Sequence, residues 1–190
     1  MRLTVLVILI LLITANLCRA QNRPYALSLY GGQLTTNHFE DFFESDELNF
    51  KNSYLLAIAL AQHLGQWDGK LSYELEGQVV KHVKLQNHWE FNLLGVVRWE
   101  KFVWDNWLDT STAFGLGASY ATKKPKIEIE NDGETAHLLV YWMLELAVVP
   151  FKSHPQWELI TRIHHRSDAF GLVADDGGSN ALAFGLKYHF

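Results

Sequence analysis

The chain contains one cysteine, Cys18, among its 190 residues. It lies in a segment with the features of a secretory signal, since Arg2 is followed by a long apolar run and Ala20 is a small residue of the kind that signal peptidases read. We expect cleavage after Ala20, with residues 1–20 as the signal peptide and residues 21–190 as a single mature domain. An exported chain that keeps no cysteine is not held together by disulfide bonds.

Long apolar runs are also missing after the signal segment. A helix that spans a bilayer needs about 20 consecutive and mostly apolar residues. No later segment of the chain has them. If the mature chain crosses a membrane, it must therefore cross as β-strands.

The chain has no excess of basic residues. It carries 16 Lys and Arg against 21 Asp and Glu, a formal net charge of −5 at pH 7. Proteins that bind nucleic acids neutralise phosphates with Lys and Arg, so this balance argues against a nucleic-acid partner. The histidines show no repeated metal-ligand spacing, and the sequence predicts neither a metal site nor a cofactor.

What the chain does contain is alternation. Eight segments alternate bulky apolar residues with small or charged ones at the period of two that is typical of β-strands. These segments are 25–34, 53–64, 70–81, 87–100, 110–121, 135–149, 156–167 and 180–190. The longer connections are 35–52, 122–134 and 168–179, with 82–86 shorter on the same side, and the opposite turns are 65–69, 101–109 and 150–155. This pattern predicts an all-β fold, namely an eight-stranded antiparallel outer-membrane β-barrel with short periplasmic turns and longer extracellular loops.

The two faces of these strands differ in chemistry. In the third segment, Tyr73 and Leu75 share one face, while Glu74 and Glu76 share the other. An eight-stranded barrel has an interior only just wide enough to be filled by side chains, so the small and charged face is expected to line the lumen. Buried charges need partners. The expected pairs join the acids Glu74, Glu76, Glu90, Glu145 and Glu158 to the bases Arg98, Arg162 and Lys187. A soluble, lipocalin-like barrel with its apolar face inward is the alternative.

The C-terminal segment ends in the aromatic Phe190, as the closing strand of a bacterial outer-membrane barrel does. Further aromatic residues lie near the predicted turns, where an interfacial girdle is expected. They are Phe102, Trp104, Trp107, Phe151 and Trp157. These features predict a location in the outer membrane of a Gram-negative bacterium, as a monomer or homodimer.

The end of the seventh segment carries a candidate chemical site. By alternation, His165 and Ser167 share the apolar face and point towards lipid, whereas His164 and Arg166 point into the lumen. With both termini periplasmic, this pair lies near the outer-leaflet headgroups. A His and a Ser two residues apart on one strand can approach hydrogen-bonding distance, as a general base and its nucleophile must.

The stretch His165-Arg166-Ser167-Asp168-Ala169 resembles the His-x-Ser-Asn-Ala motif of the outer-membrane lipid A 3-O-deacylases of the PagL type. Members of that family are eight-stranded barrels that hydrolyse an ester-linked acyl chain of lipopolysaccharide. Their Ser–His–Glu triad lies on the outer wall of the barrel. The resemblance implies that Ser167 is a nucleophile, that His165 is its base, and that lipid A in the outer leaflet is the substrate.

The chain departs from the family pattern at two positions. The family's Glu lies on the final strand, where Asn180 has the matching position and outward parity. An Asn can orient an imidazole, as in Cys–His–Asn proteases, but it does not stabilise the imidazolium charge as a carboxylate does. Asp175 and Asp176 are alternative acids. Asp168 replaces the family's Asn on the oxyanion side and would repel the developing negative charge.

Other residues complete the candidate site. Backbone N–H groups of Ala169 and Gly171 could donate hydrogen bonds to the oxyanion. Lipid A phosphates need cations, for which Arg166 and nearby loop lysines are candidates. The lysines are Lys81, Lys84, Lys123, Lys124 and Lys126. Two functions are compatible with these residues: a lipid A deacylase-like esterase, or a catalytically silent structural or surface-interaction barrel of the same fold.

Overall fold

The computed structural model of the protein describes residues 23–37, 42, 47–169, 173–174 and 177–190. The predicted signal peptide, 1–20, lies outside the described residues. The elements are β1 (Tyr25–Thr35), β2 (Phe50–Trp67), β3 (Leu71–Lys84), β4 (Trp89–Trp99), β5 (Thr110–Ala121), α1 (Lys126–Asp132), β6 (Leu138–Val148), β7 (Trp157–Ser167) and β8 (Gly178–His189).

Each strand pairs antiparallel with the next, and β8 pairs with β1 to close the barrel. The eight strands are those predicted from the alternation, and the fold class is confirmed. Boundaries differ by a few residues: β2 is longer at both ends than the predicted 53–64, and β6 begins at Leu138 rather than at 135. The β1–β2, β3–β4, β5–β6 and β7–β8 connections lie at one end of the barrel, called the loop end. The turn end is the opposite end.

The barrel is apolar outside and polar inside. On β2, the side chains of Leu56 and Ile58 are 61% and 55% exposed, whereas Ala57 and Ala59 between them are 5% and 1% exposed. The same alternation runs along β3 and β4, where exposed aromatic and aliphatic residues alternate with buried Glu, Gln, Asn and Arg. A soluble monomer rarely exposes so continuous an apolar surface. The distribution is that of a barrel with a lipid-facing exterior, and a lipocalin-like carrier with an apolar lumen is excluded.

Ion pairs fill the middle of the lumen. Arg162 on β7 donates to both carboxylate oxygens of Glu76 on β3, at 2.6 and 2.8 Å. These two strands lie on opposite sides of the barrel, so this bidentate pair crosses the lumen. Glu145 binds Arg162 and Lys187. The predicted pairing of lumen acids with lumen bases is confirmed for these residues, and it satisfies charges that would otherwise be costly to bury.

The connection between β5 and β6 contains a helix where the sequence predicts only a loop. Helix α1 begins after Pro125 and ends before Gly133. Its Ile127 is fully buried in the apolar cluster that also contains Leu34 and Leu55. Its Glu128 is equally buried and accepts a hydrogen bond from Ser179 Oγ at 2.8 Å. Two of its side chains therefore belong to the interior, and α1 covers the loop end of the lumen.

Among the described residues, no helix is long and apolar enough to span a membrane.

Candidate functional site

The candidate site lies on the outer wall of the barrel, where β7 reaches the loop end. His165 and Ser167 are half-buried on the outward face, and Arg166 between them is 1% exposed on the inward face. The period-two geometry of the strand thus places the two groups on the same side of the wall. The orientation that the sequence predicted for these three residues is the one observed.

Strand β8 brings Asn180 directly opposite His165 in the antiparallel register. The Nδ1 atom of His165 lies 2.6 Å from the Oδ1 atom of Asn180. The amide nitrogen Nδ2 of Asn180 donates to the backbone carbonyl of Asn37 at 2.9 Å. Since a carbonyl can only accept, this second bond fixes the orientation of the amide and directs its oxygen at the imidazole.

These contacts determine the tautomer of the imidazole. Because Asn180 Oδ1 is an acceptor, Nδ1 of His165 carries the proton and donates it. In the neutral ring, Nε2 then keeps its lone pair and is able to accept a proton. This is the protonation state that a general base needs before it acts on a hydroxyl.

An aromatic ring from β6 supports the same imidazole. Trp142 is the register partner of His165, and the two ring centroids lie 4.3 Å apart at an interplanar angle of 33°. The imidazole is therefore held by a ring contact from one neighbouring strand and a hydrogen bond from the other. A His with both neighbours engaged has little rotameric freedom, which is what a preoriented base requires.

Ser167 ends β7 beside a tight local turn. Its Oγ accepts a hydrogen bond from the N–H of Ala169 at 3.0 Å and donates to Oδ1 of Asp168 at 3.3 Å. Ala169 has a φ of 56°, a left-handed conformation that is uncommon for a residue other than Gly. The N–H of Asp168 donates to the carbonyl of Gly177 at 2.9 Å, which ties this turn to the start of β8.

Arg166 is not among the outward-facing groups, which corrects its assignment as a cation for substrate phosphates. Its guanidinium lies in the interior, 3.2 Å from Oε1 of Glu128, and also donates to the backbone carbonyls of Ala136 and His137. The alternation of β7 directs its side chain inwards, and the buried carboxylate of Glu128 pairs with it there.

The predicted lysines differ in exposure. Lys84, Lys123, Lys124 and Lys126 are exposed, and Lys81 is half-buried with its Nζ atom 5.0 Å from the ring centroid of Trp89.

The sequence-predicted residues divide into three groups. Two hydrogen-bonded sets lie at the wall: His165 with Asn180, and, two residues along β7, Ser167 with Asp168 and Ala169. Arg166 belongs to neither set. Gly171, Asp175 and Asp176 lie outside the described residues.

Two residues of the site were not anticipated from the sequence. The Trp142 ring and the Asn37 carbonyl reach the site only through the strand register and the β1–β2 connection. The alternation of β6 predicts that Trp142 lies on the outer face of the barrel, but no local sequence pattern connects it with His165.

The described residues contain one group of side chains close enough together to hold a metal ion. It consists of His82, His88 and Glu90 and lies in the lumen rather than on the outer wall. The wall site itself offers a hydroxyl, an imidazole and an amide side chain that orients the imidazole. This is the set of groups used in acyl transfer.

The barrel is similar to two solved structures. One is the outer-membrane enzyme PagL, with a TM-score of 0.60 at 12% identity over 86% of this chain and 98% of that chain. The other is Neisserial surface protein A (NspA), with a TM-score of 0.53 at 10% identity over 87% of this chain and 96% of that chain. At the level of sequence, no protein-family model and no curated protein matches the chain. The described chain thus has the fold of eight-stranded outer-membrane barrels, one of which is an enzyme.

Proposed function

We propose that this protein is an outer-membrane esterase that hydrolyses an ester-linked acyl chain of lipopolysaccharide. The observation that carries the proposal is the hydrogen bond from His165 Nδ1 to Asn180 on the outer wall, two residues along β7 from Ser167. A hydroxyl and a neutral base that face the bilayer side of a barrel are accessible to a lipid and remote from the lumen.

The reaction is acyl transfer to water. Ser167 Oγ attacks the ester carbonyl, and His165 Nε2 accepts the hydroxyl proton as the Oγ–C bond forms. The same proton passes to the sugar alkoxide when the ester C–O bond breaks. His165 then takes a proton from water, which attacks the acyl-enzyme, and the carboxylic acid leaves as the proton returns to Ser167.

The tetrahedral intermediate needs donors for its oxyanion. The N–H of Ala169 already lies 3.0 Å from Ser167 Oγ, which makes it the first candidate for that role. The carboxylate of Asp168 acts in the opposite direction, because it accepts the Ser167 proton in the resting state and repels the negative charge that develops. Gly171 is a second candidate donor.

The location of the site selects a lipid substrate. The wall beside it is apolar, with Phe184 58% exposed and Leu182 and Ile163 half-buried, so an acyl chain can lie along it. Lys84 at the end of β3 and the lysines of the β5–β6 connection are exposed at the same end of the barrel, and they suit the phosphates of lipid A. Both features point to an amphiphile of the outer leaflet, where lipid A supplies ester-linked chains next to phosphates.

The test is expression in a Gram-negative host followed by mass spectrometry of its lipid A. We expect loss of one acyl chain when the wild-type barrel is present. Ser167→Ala should restore the host's acyl pattern, while Ser153→Ala, an exposed turn serine, should leave hydrolysis intact. Folding of each variant is checked by heat-modifiable migration in gels. An unchanged acyl pattern with a folded wild-type barrel contradicts the proposal.

The second candidate is a catalytically silent structural or surface-interaction barrel of the same fold. The Asn180 amide and the Asp168 carboxylate favour it, because the first gives no countercharge to an imidazolium and the second opposes an oxyanion. It predicts no change in lipid A with the wild-type protein, and the appearance of deacylated lipid A only after Asn180→Glu is combined with Asp168→Asn.

A further inference from the structure

A cluster of polar side chains lies inside the barrel at the β3–β4 connection. His82 near the end of β3, His88 just before β4 and Glu90 on β4 are 3%, 3% and 0% exposed. One possible ligand atom from each lies within 4.8 Å of the other two. The imidazole rings of His82 and His88 stack at a centroid distance of 4.3 Å and an angle of 11°. Two imidazoles and a carboxylate therefore lie side by side in a place shielded from bulk water. Because the stacked rings are nearly parallel, one of them must rotate before both direct a nitrogen lone pair at the same ion.

Within the part of the chain that the structure describes, two buried polar atoms in and beside this cluster have no hydrogen-bond partner. They are Nε2 of His88 and Oε1 of Gln86, and both side chains are 3% exposed. An unsatisfied buried polar atom costs about 1–3 kcal/mol, so natural proteins seldom keep one without a reason such as a bound ion.

The partners of Glu90 differ from those of Glu74 and Glu76. Glu74 and Glu76 pair with arginines of the lumen. In contrast, the contacts of Glu90 within the described chain are Nε2 of His82 at 2.8 Å, Nε2 of His164 at 2.9 Å and the amide of Asn92 at 2.8 Å. Glu90 thus has imidazole and amide partners where its neighbours have arginines. A divalent ion would place a permanent positive charge beside this carboxylate.

We propose that His82, His88 and Glu90 bind a divalent transition-metal ion, with zinc the best match to the ligand set. Two His and one carboxylate form a common protein site for zinc, which binds imidazole nitrogen at about 2.0–2.1 Å. Calcium and magnesium prefer oxygen ligands and are excluded by the two imidazoles. Bound at the base of the β3–β4 hairpin, the ion joins the end of one strand to the start of the next.

The neighbouring amide is suited to orient one of the ligands. Gln86 Nε2 now donates to His82 Nδ1 at 3.2 Å, which leaves the proton of that ring on Nε2, where it is donated to Glu90. When metal occupies Nε2, the proton moves to Nδ1, and rotation of the Gln86 amide brings its unpartnered Oε1 to accept it. Meanwhile Glu90 Oε1 stays bonded to His164 and Asn92. Such outer contacts fix the tautomer and orientation of metal ligands.

The experiment measures metal binding by the folded full-length barrel in detergent after removal of metals with a chelator. Calorimetric titration with zinc chloride should give one ion per chain, and cobalt(II) should give the visible absorption of a low-symmetry site. Calcium should give no heat. Zinc should also raise the unfolding temperature, because an ion that binds the folded state stabilises it by mass action.

Variants separate the cluster from adventitious binding. His88→Ala should weaken zinc binding by more than the roughly 10–100-fold expected for Gln86→Ala, which removes only an outer contact. His154→Ala, an exposed turn histidine, should bind as the wild type does. If His88→Ala does not fold, His88→Gln replaces it in the same binding measurement. Ser167→Ala should also bind zinc normally, so the outcome is independent of the esterase proposal. A folded wild-type barrel that takes up no zinc, or a His88 variant that binds as tightly as the wild type, overturns the site.

Discussion

His165 on β7 and Asn180 on β8 face each other across one register position, with Nδ1 and Oδ1 2.6 Å apart. The amide of Asn180 is in turn fixed by its bond to the Asn37 carbonyl. This chain of contacts holds the proton of the neutral imidazole on Nδ1, so that the lone pair lies on Nε2. A neutral amide therefore provides the orienting function that a carboxylate provides in Ser–His–acid triads, without the countercharge.

Removal of the Asn180 side chain should impair ester hydrolysis without unfolding the barrel. In Asn180→Ala, His165 loses the acceptor that fixes its tautomer, and a misplaced base costs about 100-fold in rate. We expect a fall in kcat of that size in a detergent assay with purified lipid A. Asn106→Ala, in an exposed turn, is the control and should retain full activity. Equal rates for Asn180→Ala and wild type would mean that this contact has no part in catalysis.

Replacement of Asp168 by Asn should increase activity. The carboxylate of Asp168 accepts a hydrogen bond from Ser167 Oγ in the resting state, and its charge would repel the negative charge that develops on the nearby oxyanion. The amide of Asp168→Asn removes the repulsion and adds a donor, and oxyanion-hole donors contribute about 10²–10³-fold in kcat. We expect a rise of at least about tenfold, measured as initial rates of fatty-acid release. Asp68→Asn, in the β2–β3 turn, should change nothing. A loss of activity in Asp168→Asn would indicate that this carboxylate assists the reaction.

Gly117 should not tolerate a side chain. A Cβ atom there would lie 2.0 Å from the carbonyl oxygen of Leu93 and 2.6 Å from the Cα of Leu94, because β4 and β5 approach closely at this point. Backbone atoms cannot move aside as a side-chain end can, so Gly117→Ala should lower the free energy of unfolding by about 1–3 kcal/mol or more. The matched variant is Gly95→Ala on β4, where an added Cβ meets nothing within 4 Å. Urea unfolding of both variants in vesicles compares them, and equal stabilities would contradict the prediction.

Glu128 should make the stability of the barrel depend on pH. Burial raises the pKa of this carboxyl above its ordinary value of 4.5, against the opposing effect of Arg166. The folded state therefore binds the proton more tightly than the unfolded state. As pH falls through the raised pKa towards 4.5, the wild type should gain stability relative to Glu128→Gln. Free energies of unfolding of both proteins, measured across this pH range, check the direction of the change. Glu130→Gln, exposed on the same helix, should show no such difference.

Much of the barrel could be predicted because alternation is a local property. A residue and its second neighbour share a face of a strand, so the runs around Leu56, Glu76 and Trp89 identify the inner and outer faces without any partner strand. A contrasting case is α1, which lies in the 122–134 connection that the sequence predicts as a loop. Glu128 is instead buried, because contacts with Ser179 and Arg166 from distant strands satisfy it. Local composition contains no information about such partners.

The sequence by itself determined the number of strands, the faces of each strand and the outward placement of His165 and Ser167. Only the tertiary structure decided which residues meet across strands: Asn180 and Trp142 with His165, and Glu90 with His82 and His164. The reason is physical. The face on which a side chain lies depends only on the period of its own strand. Contact between side chains of different strands depends on register and barrel closure, and all the hydrogen-bonded strands determine these together.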